Sequence, residues 1–207
     1  MNQPILNLLF PTPVVKVKLD RHEEHKKNLI PKLMKWFRDN PENHMPWDSE
    51  DHSYGMYETS VDFKLIDQQI ETTYRDFVNY LIGREIGIPL THEGWWNIHD
   101  SNHYMESHNH LSALAAGIYY LKLDTDKDFP ATFTNPQRDV IECWDGFGED
   151  SLRINNQAFK PSTFPNDLNI EEGDLILFPP YFNHFVKRSH IQHDEYRISY
   201  AFNVSRK

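Results

Sequence analysis

Cysteine is almost missing from this sequence. Cys143 is the only one in 207 residues, so no disulfide can close within the chain, and a reducing compartment suits it. Basic residues are also in short supply. There are 21 Lys and Arg against 31 Asp and Glu, a formal net charge of -10. That balance argues against a broad phosphate-neutralising surface and so against nucleic acid as a general partner. Long apolar runs are absent too. The longest, Leu111 to Leu121, falls well short of the ~20 residues a membrane-spanning helix needs. The opening MNQPILNLLFPTPVV has no basic start and is broken by Pro4, Pro11 and Pro13, which does not read as a signal peptide. The expectation is a soluble cytoplasmic protein with no membrane partner. Glycine is sparse, 8 residues against 13 prolines. Such punctuation fits a β-rich fold with many loops better than a helical bundle.

Aromatic residues are what the chain has in quantity: 13 Phe, 10 Tyr and 5 Trp, a globular composition. The length predicts one domain over 1–207, with a strand and supporting helices in 1–89 and a β core in 90–207. VVKVKL, Val14 to Leu19, alternates as a half-buried strand. Asp20 is a plausible N-cap for a helix over about 21–39, with Glu23 and Glu24 in its first turn and Leu29, Leu33, Trp36 and Phe37 on one face. Pro31 lies inside it. Asp67 opens a second helix in the reading from spacing, with Ile70, Tyr74, Phe77, Val78 and Leu81 along one side and a stop near Gly83 to Pro89. From Leu90 onward short β-type runs take over: Thr91 to Ile98, Ala115 to Leu123, Ala131 to Thr134, Asp139 to Cys143, Leu175 to Phe178, His184 to Lys187 and Arg197 to Val204. Short strands without intervening helices predict an antiparallel sandwich or barrel. The turn-rich segments 40–60 and 124–169 read as loops, with Trp47, Trp144 and Phe147 as candidate substrate contacts.

The chemistry concentrates in two stretches. The first, Trp95 to Leu121, contains His108 and His110. Residues two apart on a strand share a face, so both imidazoles can aim at one ion; neutral imidazole suits iron, zinc, copper and nickel. In a chain with 12 histidines such a pair also arises by chance. The second stretch, Asp174 to Asn203, adds His184 after a Pro-Pro break. It also carries Arg197, which shares a strand face with Ser199. An inward Arg needs an anion, and a dicarboxylate is a good candidate because guanidinium grips carboxylate with two hydrogen bonds. The alternative is that both residues face solvent. His99, His103, His190 and His193 read as loop or surface histidines, His103 with a possible supporting role behind the ligands.

The order of these elements resembles a family. Trp95-x-Asn97, His108-x-His110, Gly117-x-Tyr119-Tyr120, the run Gly173 to Pro179, His184, and Arg197-x-Ser199 followed by Asn203 are similar to the iron(II)- and 2-oxoglutarate-dependent oxygenases. The likeness is nearest to a poorly characterised branch found in phages and bacteria, whose opening LFPTPV also resembles. It implies a mainly β double-stranded β-helix (a cupin-like jelly roll) with N-terminal helices packed on the larger sheet. It implies Fe(II), 2-oxoglutarate and O2 as cofactor and cosubstrates, and hydroxylation of an unidentified substrate with release of succinate and CO2. His108, His110 and His184 would bind the metal. Arg197 and Ser199 would hold the far carboxylate of 2-oxoglutarate, with Asn97 and Tyr120 as further cosubstrate contacts. One departure stands out. The wider superfamily uses two histidines and a carboxylate, and here His110 stands where the carboxylate is usual, with Glu106 as the substitute candidate. That departure motivates two alternatives: a three-histidine cupin-like dioxygenase without 2-oxoglutarate, and a non-catalytic β-sandwich binding module. The sequence sets no oligomeric state.

Overall fold

The computed structural model describes residues 12–39, 61–85, 87–136 and 165–207. The expected strand Asp139 to Cys143, the loop 40–60 and its Trp47, and the aromatics Trp144 and Phe147 all lie outside the described residues. Eight strands and three helices are described: β1 (Val15–Lys18), α1 (His22–Asp39), α2 (Val61–Ile82), β2 (Leu90–His99), β3 (Met105–His108), β4 (Ala115–Lys122), β5 (Thr132–Phe133), α3 (Pro165–Leu168), β6 (Asp174–Phe178), β7 (His184–Val186) and β8 (Arg197–Arg206). No helix among them is long and apolar enough to cross a membrane.

The strands form two antiparallel sheets. The larger runs β1-β6-β4-β8-β2 and the smaller β3-β7-β5. The expected double-stranded β-helix is therefore present, with α1 and α2 on the outside of the larger sheet. The period-two side-chain pattern makes this work. On β8, Ile198, Tyr200, Phe202 and Val204 join Leu29 and Leu33 of α1 and Ile66, Ile70, Tyr74 and Phe77 of α2 in one core. On β4 and β6 the opposite residues, Ala116, Ile118, Tyr120, Ile176 and Phe178, pack with Phe133 and Phe182 in a second core between the sheets. The larger sheet is thus covered on both faces, which is why β4 and β6 are buried almost throughout.

Several sequence expectations need correction. Helix α2 begins at Val61, six residues before Asp67. Asp67 lies inside the helix and pairs with His92 of β2 at 2.8 Å, so its acidic character serves a tertiary contact. Leu81 is 39% exposed, because the buried face of α2 ends at Val78. The helix then stops at Gly83, whose φ of 74° lets its N–H reach back to the Asn79 carbonyl at 2.9 Å. Asp20 is not the cap of α1: its N–H is taken by Gln69 of α2 at 2.7 Å, and the Arg21 carbonyl receives the first helical N–H groups. Pro31 faces solvent, where the carbonyl that loses its partner is open to water. Strand β3 was not expected. Its sequence, MESH, carries no alternating apolar signal, and its burial is correspondingly slight.

Gly117 explains part of the Gly-x-Tyr-Tyr motif. A Cβ there would stand 2.3 Å from the Phe202 ring and 2.8 Å from Leu177. Phe202 can lie across β4 only because no side chain is in its way. Gly117→Ala should cost about 1–3 kcal/mol of stability through overpacking, whereas Gly87→Ala, with open space around it, should change stability by less than ~0.5 kcal/mol. Urea unfolding of the two variants checks this; equal midpoints would refute the packing role.

Candidate metal centre

Three of the predicted site residues come together. His108 closes β3 and His184 opens β7, and the two are direct cross-strand partners. A register irregularity between Met105 and His108 lets the short edge strand present its histidine at this point. His110 lies two residues beyond the end of β3. A turn places it: its N–H donates to the Pro180 carbonyl at 2.7 Å, and its own carbonyl accepts from Ala113 at 2.8 Å. Between the two histidines, the Asn109 side-chain amide donates to Asn183 Oδ1 at 2.8 Å, locking the turn after β3 to the turn before β7. One nitrogen from each of His108, His110 and His184 lies within 4.8 Å of the others.

The donor set fits a transition metal. His108 Nδ1 sits 2.8 Å from the Glu106 carbonyl, and His184 Nδ1 3.1 Å from that of Phe182. A carbonyl only accepts, so each Nδ1 carries a proton, and in the neutral ring that leaves the lone pair on Nε2, as a metal-ligating imidazole requires. Burial pushes His184 down to about 3, with the field of His108 adding to it. Burial, then His108, pushes His110 down to about 4. Both rings are therefore neutral near pH 7. Glu106 is exposed and contributes its backbone carbonyl to His108, and among the described residues its carboxylate is not in the convergent group.

The three rings open onto a cavity of about 750 Å³ whose lining also includes Asn97, Tyr120, Arg197 and Ser199. All four other predicted site residues thus face the same space. Asn97 and Ser199 are cross-strand partners on β2 and β8. Arg197 is buried, and its Nη1 donates to the Phe129 carbonyl at 2.9 Å while Nη2 lies 3.0 Å from His99 Nδ1. Burial lowers its pKa, partly offset by the field of Asp128. The Asp128 carboxylate itself is engaged by Ser189 Oγ at 2.5 Å and His193 Nε2 at 3.3 Å. The Tyr120 hydroxyl accepts from the Ala131 N–H at 3.0 Å, which leaves its own proton free to donate; burial raises its pKa, so it stays protonated.

His99 corrects the surface assignment. It is 8% exposed, ends β2 opposite Arg197, and lines the cavity. The signal was in the sequence: it continues the Trp95, Asn97 face at a spacing of two. His193 is partly buried against Asp128, His190 is exposed and lies over Phe129, and His103 stacks on His99 at 5.6 Å rather than backing any of the three convergent histidines.

The sequence family described as "Putative 2OG-Fe(II) oxygenase" matches residues 93–203. No curated protein matches the chain. Among solved structures, a prolyl-4-hydroxylase from Pseudomonas putida is similar in fold, with a TM-score of 0.55, 11% identity, and coverage of 95% of this chain and 89% of that one. HygX from Streptomyces hygroscopicus, solved with nickel and 2-oxoglutarate bound, has a TM-score of 0.53 at 12% identity, covering 94% and 82%. The viral collagen prolyl hydroxylase of Paramecium Bursaria Chlorella virus-1, in complex with 2OG, has 0.52 at 13%, covering 93% and 94%. At these identities the likeness is one of fold.

The lowered histidine pKa values have a consequence for the metal-free protein. An unfolded histidine protonates near 6.5, whereas His110 and His184 stay neutral in the fold down to about 4 and about 3. The unfolded state therefore binds more protons between those values, and stability present above pH 6.5 is lost as the pH falls toward 4. Urea midpoints measured in chelator should fall across that window, with a shallower fall for His184→Gln. Identical slopes would contradict the burial of a neutral ring at this position.

Proposed function

This chain belongs to the 2OG-Fe(II) oxygenase family, and we propose that His108, His110 and His184 are its iron ligands and that Arg197 holds the far carboxylate of 2-oxoglutarate. The observation that carries this reading is the opening of all three imidazoles and one buried guanidinium onto a single cavity. Bound iron(II) supplies oxygen activation coupled to oxidative decarboxylation of 2-oxoglutarate. The overall balance is then substrate C–H plus 2-oxoglutarate plus O2 giving substrate C–OH plus succinate plus CO2. Family membership sets aside the cosubstrate-free dioxygenase and the non-catalytic binding module.

The remaining work falls to the chain's own residues. His108 and His184 are held with Nε2 lone pairs forward by the carbonyls behind them. The tautomers are thus set before the metal arrives, which lowers the reorganisation that binding requires. His110 in place of a carboxylate leaves a centre one charge more positive than two imidazoles and a carboxylate would. Arg197 offers a bidentate grip to the far carboxylate, in a site dry enough for that grip to be strong. The Tyr120 proton and the hydroxyl of Ser199 supply further donors, and Asn97 an amide, around the same anion. Trp95, Met105, Ile118 and Val186 form an apolar part of the wall, suited to the C–H-bearing group of an unidentified substrate. The motif order supports placing the enzyme near the branch found in phages and bacteria. Its single cysteine suits the reducing cytoplasm of a bacterial or phage-infected cell.

Two substitutions test the assignment. His184→Ala should lower iron(II) affinity by at least ~10-fold and abolish iron-dependent succinate formation; unchanged metal affinity would remove His184 from the ligand set. Arg197→Ala should leave metal affinity near wild type and weaken 2-oxoglutarate binding by about 10- to 100-fold, the loss of a charge-assisted pair. Unchanged cosubstrate affinity in that variant would place the carboxylate elsewhere.

A further inference from the structure

We infer that His99 is a positioning residue for the cosubstrate: it takes one N–H of Arg197 as a neutral acceptor, aiming the guanidinium at the cavity without cancelling its charge. The inference rests on Arg197 being the carboxylate-binding residue proposed above.

His99 and Arg197 are direct partners across β2 and β8, so the position of the ring relative to the guanidinium is set by sheet register. Nη2–H donates to His99 Nδ1 at 3.0 Å and Nη1–H to the Phe129 carbonyl at 2.9 Å. Both acceptors are neutral. A guanidinium has five N–H donors, and these two bonds fix its plane while leaving three for a ligand. A carboxylate in the place of His99 would hold the Arg equally well. It would also neutralise it and set a negative charge facing an anionic cosubstrate. An imidazolium would present a proton to a cation and break the bond. His99 avoids this, because burial, then the Arg197 charge, pushes it down to about 3. The ring is held in turn by its neighbour: His103 stacks on it at 5.6 Å with planes 10° apart, and His103 Nδ1 is 2.7 Å from Asp100 Oδ1. None of the three convergent histidines shares this arrangement, so a change at His99 can be read separately from metal binding.

Asn and Asp are the informative replacements. They are the same size, both place an oxygen where Nδ1 stands, and they differ in charge. The wild type, His99→Asn, His99→Asp and His99→Leu would be loaded with Ni(II), which does not turn over, and titrated with 2-oxoglutarate in a calorimeter. Pyruvate, a 2-oxo acid without the far carboxylate, serves as the second titrant. We expect His99→Asn to bind 2-oxoglutarate within about threefold of wild type, His99→Leu about tenfold more weakly and His99→Asp about 30-fold more weakly, on the scale of one charge-assisted hydrogen bond. Pyruvate should bind all four alike, and Ni(II) affinity should not move. Equal affinities for Asn and Asp would overturn the inference, as would a matching loss for pyruvate. Wild-type protein that failed to bind 2-oxoglutarate while holding Ni(II) would instead overturn the underlying assignment of Arg197, and this inference with it.

Discussion

Strand β8 is the constraint on which the rest of this structure depends. It lies between β4 and β2 in the larger sheet, paired along nearly its whole length on both sides. Its even-numbered residues, Ile198 to Val204, enter the core against the two helices, and its odd-numbered ones, Arg197 to Asn203, line the cavity. A slip of one residue would exchange the two sets. It would drive a guanidinium into the helix-facing core and turn four large apolar side chains toward the site. The register that buries the core therefore also sets Arg197 opposite His99 and Ser199 opposite Asn97. Stability and site geometry rest on the same hydrogen-bond ladder.

The metal side of the cavity is built differently. The smaller sheet is short, and one of its strands is barely buried. Precision there comes from cross-connections between turns: the Pro180 carbonyl on the His110 N–H, the Asn109–Asn183 pair, and carbonyls behind His108 and His184. Each bond spends a backbone or amide group on the aim of an imidazole. The cost of desolvating His110 and His184 is met by keeping them neutral, which is also the state in which an imidazole binds a metal.

Charge is handled by separation. The cationic Arg197 lies buried at the start of β8, held by neutral acceptors, while Asp128, whose field reaches it, is engaged by Ser189 and His193. A buried cation held this way is costly until an anion arrives. Under the role proposed for Arg197, that cost is relieved when the far carboxylate of the cosubstrate binds. Across the cavity His110 and His184 stay neutral, so the buried positive charge sits where the cosubstrate's far end is proposed to lie.

Much of this was legible in the residues alone, for identifiable reasons. Period-two alternation is a local property, and it was enough to put Arg197 and Ser199 on one face and Ile198, Tyr200 and Phe202 on the other. The apolar spacing of α1 and α2 marked the faces that cover the sheet, and the order of the short motifs marked the family. What remained hidden was whatever depends on a partner distant in sequence. The role of Asp67 required His92. Strand β3, polar and on a sheet edge, has no pattern of its own and exists because β7 pairs with it. The convergence of His110 with His108 and His184 involves a carbonyl seventy residues away in sequence, at Pro180, and His99 gained its meaning from Arg197. The sequence by itself determined which side chains share a face and which chemistry they can perform, because those follow from backbone geometry and atom type. Only the tertiary structure decided which of the described histidines meet, because convergence is set by sheet register and by turns that long-range hydrogen bonds close.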